Sequence, residues 1–400
     1  MIQSLRDLIA YRPLKLWEKA AIASAFLLCL VAGSYRVLEN RLYPGPNYPT
    51  QTINTSSISL QKIVHGDWDL DGDTDFAAFD EPNLSMELFV NQGNGNFVPS
   101  ENSLINFQAS DLNSGYLLNY DRPALIQSFA SKPAVHKLVL RSGRFIVETE
   151  SIHLSLIEPC EPTTADLNND KLPDLIVLDR KSPDISVRLA LNDKIFLEET
   201  ILYSSEFEES KTGNLFIQDV NSDKRLDIIV SVQGLDDSRS GITVFLQTSP
   251  GKFDSGRFYP VLSQAQWGSG IILDVDFDSD LDIILPDQLG NQIIQFVNDG
   301  KGQFTDKKTF YEIPKPVNIV SLDPVPPNRL EFAISTARSV LRLVGFSEPG
   351  QWKTVQQYPW TIVQKGLDAA DVDNNGTFDL IANPYGSTTI HIVRRTKQNP

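Results

Sequence analysis

Beyond residue 49 the chain alternates short apolar runs with clusters of Asp, Asn, Gly and Ser, and its apolar positions carry almost no helical period. Five of the runs are unbroken: Phe76-Ala-Ala-Phe79, Leu175-Ile-Val-Leu178, Ile228-Ile-Val230, Ile283-Ile-Leu285 and Leu380-Ile-Ala382. Such runs predict strands buried on both faces rather than the in–out alternation of a half-exposed strand. A tight turn that ends in an aromatic recurs separately. It stands at Gly93-Asn-Gly-Asn-Phe97, Ser142-Gly-Arg-Phe145, Asn192-Asp-Lys-Ile-Phe196, Pro250-Gly-Lys-Phe253, Gly300-Lys-Gly-Gln-Phe304 and Pro349-Gly-Gln-Trp352. Turns of this kind between apolar runs predict β-hairpins.

An acidic turn precedes each unbroken run. In the first, Asp67, Asp69, Asp71 and Asp75 occupy positions 1, 3, 5 and 9, with the carbonyl of Asp73 at position 7 and Gly72 at position 6. A hard cation takes six to eight oxygens at about 2.4 Å, and a loop with this spacing can curl round one. Glycine at position 6 supplies the positive φ that the curl demands. The spacing returns at Asp166 to Asp174, Asp219 to Asp227, Asp274 to Asp282 and Asp371 to Asp379. Acidic turns without an ion are the alternative reading. EF-hands are excluded, because position 12 is Ala78, Val177, Val230, Leu285 or Ala382 and never the bidentate Glu.

Three of the distances from loop to aromatic are 30 residues (67 to 97, 166 to 196, 274 to 304), and 219 to 253 is 34. Counting back from Phe145 and Trp352 leads to Asp111-Leu-Asn113-Ser-Gly115 and to Asp323 through Glu331, read as eroded loops. Val325 and Pro327 deny the second of these a metal. The repeat count is therefore seven. The last repeat lacks its aromatic turn, and Gly45-Pro-Asn-Tyr48 stands before Asp67 at the spacing that the missing piece requires. A split repeat is what a closed ring needs, because a sheet built from both termini removes the open edges. The pattern predicts an all-β fold, a seven-bladed β-propeller over residues 46–398 closed by its N-terminal strand.

Composition changes this picture little. The formal charge of -16 excludes nucleic acid as the main partner, and 19 of the 51 acidic residues lie in the five loops. Cys29 and Cys160 provide neither a disulfide framework nor a zinc site. At the N-terminus, residues 1–19 form a basic segment, 20–35 an uncharged apolar run and 36–45 a linker. The run reads as a transmembrane signal-anchor or a signal-peptide helix, the long basic segment favouring the anchor. In either case the basic side stays in the cytoplasm and the rest is exported: membrane-anchored, or secreted or periplasmic after cleavage.

The five Asp-x-[Asp/Asn]-x-[Asp/Asn]-x-x-x-Asp loops, with the Asn-x-Gly-x-Gly-x-Phe turns at 91–97 and 298–304, resemble the FG-GAP/VCBS repeat family, which includes the N-terminal propeller of integrin α subunits. The resemblance implies a Ca²⁺ ion in each loop, up to five ions. By position the side-chain ligands would be Asp67, Asp69, Asp71 and Asp75; Asp166, Asn168, Asp170 and Asp174; Asp219, Asn221, Asp223 and Asp227; Asp274, Asp276, Asp278 and Asp282; and Asp371, Asp373, Asn375 and Asp379. The backbone oxygens would come from Asp73, Leu172, Arg225, Asp280 and Thr377. Lys171, Lys224 and Ser279 replace the position-6 glycine, and loops two and three have fewer carboxylates, so the expected order of occupancy is one and four, then five, then two and three.

The resemblance further implies partner binding on the face opposite the loops. Candidate segments there are Asp179 to Asp184, Gly234 to Gly241, Trp267-Gly-Ser-Gly270 and Asn383 to Gly386; Trp267 and Tyr385 read either as stacking surfaces for a sugar or peptide or as aromatics packed on a neighbour in ordinary polar loops. Only four histidines are present, His65, His136, His153 and His391, and no Gly-x-Ser-x-Gly elbow or phosphate loop occurs. The expected function is a non-enzymatic recognition or adhesion module for an extracytoplasmic protein or glycan. The alternatives are a polysaccharide lyase-like enzyme with His, Arg or Tyr gathered in the funnel, and a structural scaffold of an envelope complex.

Overall fold

The computed structural model describes residues 49–396, apart from 56–61, 81–84, 101–110, 119, 121, 130–132, 142–143, 148–150, 204–209, 235–239, 262–263, 311–312, 323–329, 337–339, 349–350, 359–361 and 385–386. The expected N-terminal helix and linker lie outside these residues. So do most of the Asp323 loop, Tyr385 and most of the 234–241 segment. Among the described residues no helix is long and apolar enough to cross a membrane.

Every strand in the described residues belongs to an antiparallel sheet. β1 (Thr50–Asn54) pairs with none of the strands that come directly after it in the chain. The first sheet holds β2 (Lys62–Gly66), β3 (Asp75–Asp80), β4 (Ser85–Asn91) and β5 (Phe97–Pro99). The second holds β6 (Asp111–Gly115), β7 (Ala124–Phe129) and β8 (Ala134–Arg141), with β9 (Arg144–Val147) and β10 (Ile152–His153) both paired to β8. The third holds β11 (Pro159–Ala165), β12 (Asp174–Asp179), β13 (Asp184–Arg188) and β14 (Thr200–Tyr203). In the fourth, β15 (Lys211–Gln218), β16 (Asp227–Gln233) and β17 (Gly241–Phe245) are followed by a small hairpin, β18 (Gln247–Ser249) with β19 (Lys252–Phe253), before β20 (Arg257–Pro260) joins the sheet.

The fifth sheet holds β21 (Ile271–Leu273), β22 (Asp282–Asp287), β23 (Gln292–Val297) and β24 (Asp306–Phe310). The sixth holds β25 (Pro316–Ser321), β26 (Leu330–Thr336), β27 (Val340–Glu348) and β28 (Gln351–Tyr358). The seventh contains β29 (Ile362–Ala370), β30 (Asp379–Pro384) and β31 (Thr389–Val393), and its outer strand is β1. The register runs from Thr50 opposite Val393 to Asn54 opposite Thr389.

The unbroken apolar runs explain how the sheets stack. In β12, Leu175 and Val177 face the second sheet while Ile176 and Leu178 face the fourth. β3 divides in the same way, with Ala77 and Phe79 toward the second sheet and Phe76 and Ala78 toward the seventh. Such a second strand is a wall shared by two cores, which is why it has no polar side. The apolar clusters link successive sheets, and one of them joins Ile63, Phe76 and Phe89 of the first sheet to Ile53, Ile381 and Ile392 of the seventh. Burial of these side chains contributes about 25 cal/mol per Å² of apolar surface, the main term opposing chain entropy.

One expectation is corrected by the strand pairing. Asp111 to Gly115 is strand β6, not an eroded loop. Gly115 pairs with Ala124 as Gly66 pairs with Asp75, so the degenerate loop is 116–124, with Tyr116, Leu118, Tyr120 and Ala124 at ligand positions. The 30-residue count back from Phe145 ends at residue 115, and the acidic residue upstream of it draws the assignment off by five places.

Of the two readings of Trp267, packing on a neighbour is the one the structure bears out, and its ring is not a stacking surface. Trp267 is buried, its indole N–H donates to the Val232 carbonyl at 2.8 Å, and its ring packs edge-on against Phe296. Gly268 lets the chain approach the sixth sheet, where Ser269 bridges to Asn318, and a Cβ there would lie 1.9 Å from the Val317 oxygen. Gly268→Ala is therefore expected to cost about 1–3 kcal/mol in urea unfolding, through forced displacement of packed backbone. Wild-type stability of that variant would contradict the close approach.

Candidate functional site

The five acidic loops share one conformation. Position 6 is left-handed in all of them, with φ of 93° at Gly72, 68° at Lys171, 67° at Lys224, 78° at Ser279 and 79° at Gly376. Position 4 is left-handed as well, at Leu70, Asn169, Ser222, Phe277 and Asn374, which the sequence did not reveal. A side chain at positive φ costs about 1–2 kcal/mol, so something must hold each turn against that cost.

The position-1 carboxylate does so. In each loop its Oδ2 accepts the position-6 N–H, at 3.1, 2.8, 2.7, 3.1 and 2.8 Å for Asp67, Asp166, Asp219, Asp274 and Asp371. Position 5 then accepts the position-7 N–H, through Asp71, Asp170, Asp223, Asp278 and Asn375.

The position-9 aspartates Asp75, Asp174, Asp227, Asp282 and Asp379 are fully buried. One oxygen of Asp75, Asp174, Asp227 and Asp379 accepts the position-2 N–H of its own loop. The other, in all five, accepts a backbone N–H where the third strand ends, from Asn91, Ala190, Gln247, Asn298 or Arg395. Burial pushes the acid of Asp75 up to about 7 and those of Asp174, Asp227, Asp282 and Asp379 up to about 6, although the backbone N–H groups pull the other way.

Those third-strand residues are a functional set that sequence reading missed. The Asn91 amide donates to Thr74 O at 3.1 Å and to Val372 O of the seventh sheet's loop at 2.9 Å. Asn298 donates to Leu281 O and across to Val220 O at 2.8 Å, and Gln247 to Leu226 O and across to Leu167 O at 2.8 Å. Each amide stitches its own loop to the loop of the preceding sheet. The available signal was the leading Asn of the Asn-x-Gly-x-Gly-x-Phe turns, 16 residues after position 9. Ala190 is too short for this role. At the closure between first and seventh sheets, Asn374 also donates to Asp73 at 2.6 Å.

The loops differ in how they gather charge. Carboxylate oxygens lie within 4.8 Å of one another for Asp67, Asp69 and Asp71, for Asp274, Asp276 and Asp278, and for Asp371, Asp373 and Asp379. These three clusters are placed to hold a metal ion. In loops four and five, Asp274 Oδ1, Asp276 Oδ1 and Asp373 Oδ1 are buried without a donor, an arrangement that a cation would satisfy. Lys308 takes only the other oxygen of Asp276, at 2.9 Å.

Loops two and three instead answer their own charge. The Asn168 amide donates to Asp170, and Asn221 donates to Asp223, which Arg225 also meets at 2.5 Å. At the sixth sheet Arg395 stands in for an ion: its guanidinium pairs with Glu331, the position-9 acid there, and donates to Leu322 O.

On the opposite face, Asp179 is buried and accepts N–H groups from Ile157, Glu158 and Lys181, so it pins a corner and is not available to a partner. Asn383 is buried and bonded to the Thr389 carbonyl. Along the first strands, His65 Nδ1 lies 2.7 Å from Asp368, whose charge raises the imidazole pKa.

Asn298→Ala leaves two backbone carbonyls without their donor and is expected to cost about 1–3 kcal/mol, read by denaturant unfolding; an unchanged midpoint would contradict the stitch. The buried position-9 acids have pKa values raised from 3.8, so without metal they bind protons more tightly folded than unfolded. Their destabilising effect is full above about 7 and is relieved as pH falls through about 6 toward 3.8. Protein stripped with chelator should therefore melt at higher temperature at pH 5.5 than at pH 7.5. An equal or lower melting temperature at pH 5.5 would count against the raised pKa values.

No protein-family model matches the chain, and no curated protein matches it. Solved structures do share its fold. The structure of BBS1N in complex with ARL6DN superposes with a TM-score of 0.56 at 12% identity, covering 87% of this chain and 97% of that one. A putative 6-phosphogluconolactonase from Bacteroides fragilis gives 0.53 at 12% identity over 86% and 96%. An Agrocybe aegerita lectin that recognises non-reducing terminal N-acetylglucosamine gives 0.50 at 12% identity over 78% and 81%. At this identity the likeness shows the fold alone: an all-β chain of the β-propeller type.

Proposed function

We propose that the chain is a seven-bladed propeller of the FG-GAP/VCBS type, stabilised by Ca²⁺ in its acidic loops. In this reading it is exported and membrane-anchored through the segment 20–35, and it recognises a protein or glycan without catalysing a reaction. The observation that carries the metal half is the trio of buried carboxylate oxygens without donors at Asp274, Asp276 and Asp373. An ion there would draw ligands from positions 1, 3 and 5 of a loop that the protein already holds curled. Because position-2 carbonyls of the acidic loops also receive the inter-sheet amides, an ion stiffens the contact between neighbouring sheets. Loops one, four and five would fill first, and two and three last.

The recognition half rests on the fold, because propeller neighbours include a protein bound to a partner and a glycan-recognising lectin. One observation favours an enzyme of the funnel type instead: the His65–Asp368 pair on the first strands, whose Asp368 lines the same cavity as Lys62 and Glu161. A screen on polysaccharides with added Ca²⁺ distinguishes the two. A hydrolytic or eliminative product abolished by His65→Ala would establish the enzyme.

Calcium is expected to raise the melting temperature. Asp274→Asn should remove a larger part of that rise than Asp170→Asn, because Asp170 already has an amide partner. Equal loss in both variants, or no calcium-dependent rise, would contradict the assignment. For the partner, the full-length protein on glycan and protein arrays is expected to give calcium-dependent hits.

A further inference from the structure

Exposed apolar side chains are shared unevenly among the sheets. Of the ten large hydrophobic residues that stand exposed among the described ones, nine lie between Leu70 and Tyr203, in or beside the first three sheets. Five of these, Leu70, Tyr116, Tyr120, Leu191 and Ile195, are 36–57% exposed and belong to the face that carries the acidic loops.

Their place on that face follows from the hydrogen bonds. Leu70 is position 4 of loop one. Tyr116 and Tyr120 stand in the turn that replaces the loop of the second sheet, with ring centroids 5.3 Å apart. Leu191 and Ile195 close the turn after β13, where the Leu191 N–H donates to Ile195 O at 2.8 Å. The preceding N–H, of Ala190, donates to Asp174 of loop two at 2.7 Å, so this turn lies beside that loop. The tenth exposed residue, Leu289, follows the far end of β22 and is on the opposite face.

The chain also enters on the loop face. β1 begins with Thr50 opposite Val393, and Pro49 O accepts the Arg394 N–H at 3.0 Å. The next N–H, of Arg395, donates to Asp379 of loop five at 2.7 Å. Whatever precedes Pro49 therefore leaves from this face, at the seam between the seventh and first sheets. Residues 36–49 separate that point from the uncharged apolar run 20–35, and fourteen residues reach at most about 50 Å. With the run in a bilayer, so short a tether turns the face it leaves from toward the lipid.

We propose that the loop face docks on the surface of a phospholipid bilayer through these five side chains, leaving the opposite face outward. The proposal rests on the reading of 20–35 as a membrane anchor. Tyrosine rings settle at headgroup level, and leucine and isoleucine reach the acyl boundary below it. Lys171 and Lys194, exposed in loop two and in the turn after β13, would meet lipid phosphates. A one-sided apolar patch at the place where the tether leaves is what such docking requires.

The test is fluorescence quenching of full-length protein reconstituted in phosphatidylcholine vesicles, with and without bromine on the acyl chains. These vesicles carry no net charge, so the outcome does not depend on whether the loops hold Ca²⁺. Emission added by Ile195→Trp, taken as the difference from the wild type, should be mostly lost in brominated vesicles. Tyr120→Trp should behave alike, which keeps the proposal testable if one variant fails to fold. Leu289→Trp, on the outward face, should keep its emission. Flotation of the protein with vesicles after an alkaline wash checks the anchor separately. Failure to float would overturn the anchor and the docking together. Flotation with both loop-face reporters unquenched would overturn the docking alone, as when a second copy or the chain's own N-terminal residues cover the patch. Equal quenching of Leu289→Trp would overturn it too.

Discussion

A carboxylate taken out of water and held by backbone N–H groups is the interaction on which this fold turns. Asp75, Asp174, Asp227, Asp282 and Asp379 are buried where the second strand of a sheet begins, and each joins two parts of its sheet. A buried charge is costly unless its lone pairs are occupied, and here hydrogen bonds from loop and third strand occupy them. Removing water leaves the acid more basic than usual, which makes the loop a site where either a proton or a metal ion is welcome. The positive φ values at positions 4 and 6 are tolerated because the position-1 carboxylate returns a bond for each turn of the chain.

From that local device the larger assembly follows. The loop's own carbonyls are the acceptors that Asn91, Gln247, Asn298 and Arg395 reach from the next sheet, so the acidic turns lie at the seams. Where the acids are lost, the seam is made in another way. Arg395 brings a guanidinium to Glu331, while the second sheet presents Tyr116, Leu118 and Tyr120 in place of ligands. At the sixth sheet a side-chain cation meets the acid, whereas in loop two the Asn168 amide does so.

Much of this was legible in the sequence because its signals are local. The unbroken runs gave strands buried on two faces, and the fixed spacing gave the loops that gather Asp67, Asp69 and Asp71 or Asp274, Asp276 and Asp278. Less legible was anything that depends on which residue lies opposite which. Asp111 carried the right composition for a loop, yet pairing with Ser128 makes it the start of a strand. The segment Trp267-Gly-Ser-Gly270 left its aromatic open between a stacking surface and packing on a neighbour. Those glycines instead admit a neighbouring backbone, and that is knowable only once the fifth and sixth sheets are seen together. The position-9 aspartates read as metal ligands, whereas their first partners are backbone amides. In the sequence Asn91 and Asn298 are legible only as turn residues, since their cross-sheet acceptors lie 281 and 78 positions away.

The most direct measurement is the proton count that accompanies metal uptake. Calcium titrated into chelator-treated protein near pH 6.5, in buffers of differing ionisation enthalpy, should bind at several sites and release protons, because an ion displaces those held by the buried aspartates. Calcium uptake without proton release would contradict the raised pKa values, and no uptake at all would contradict the metal-clasped loops themselves.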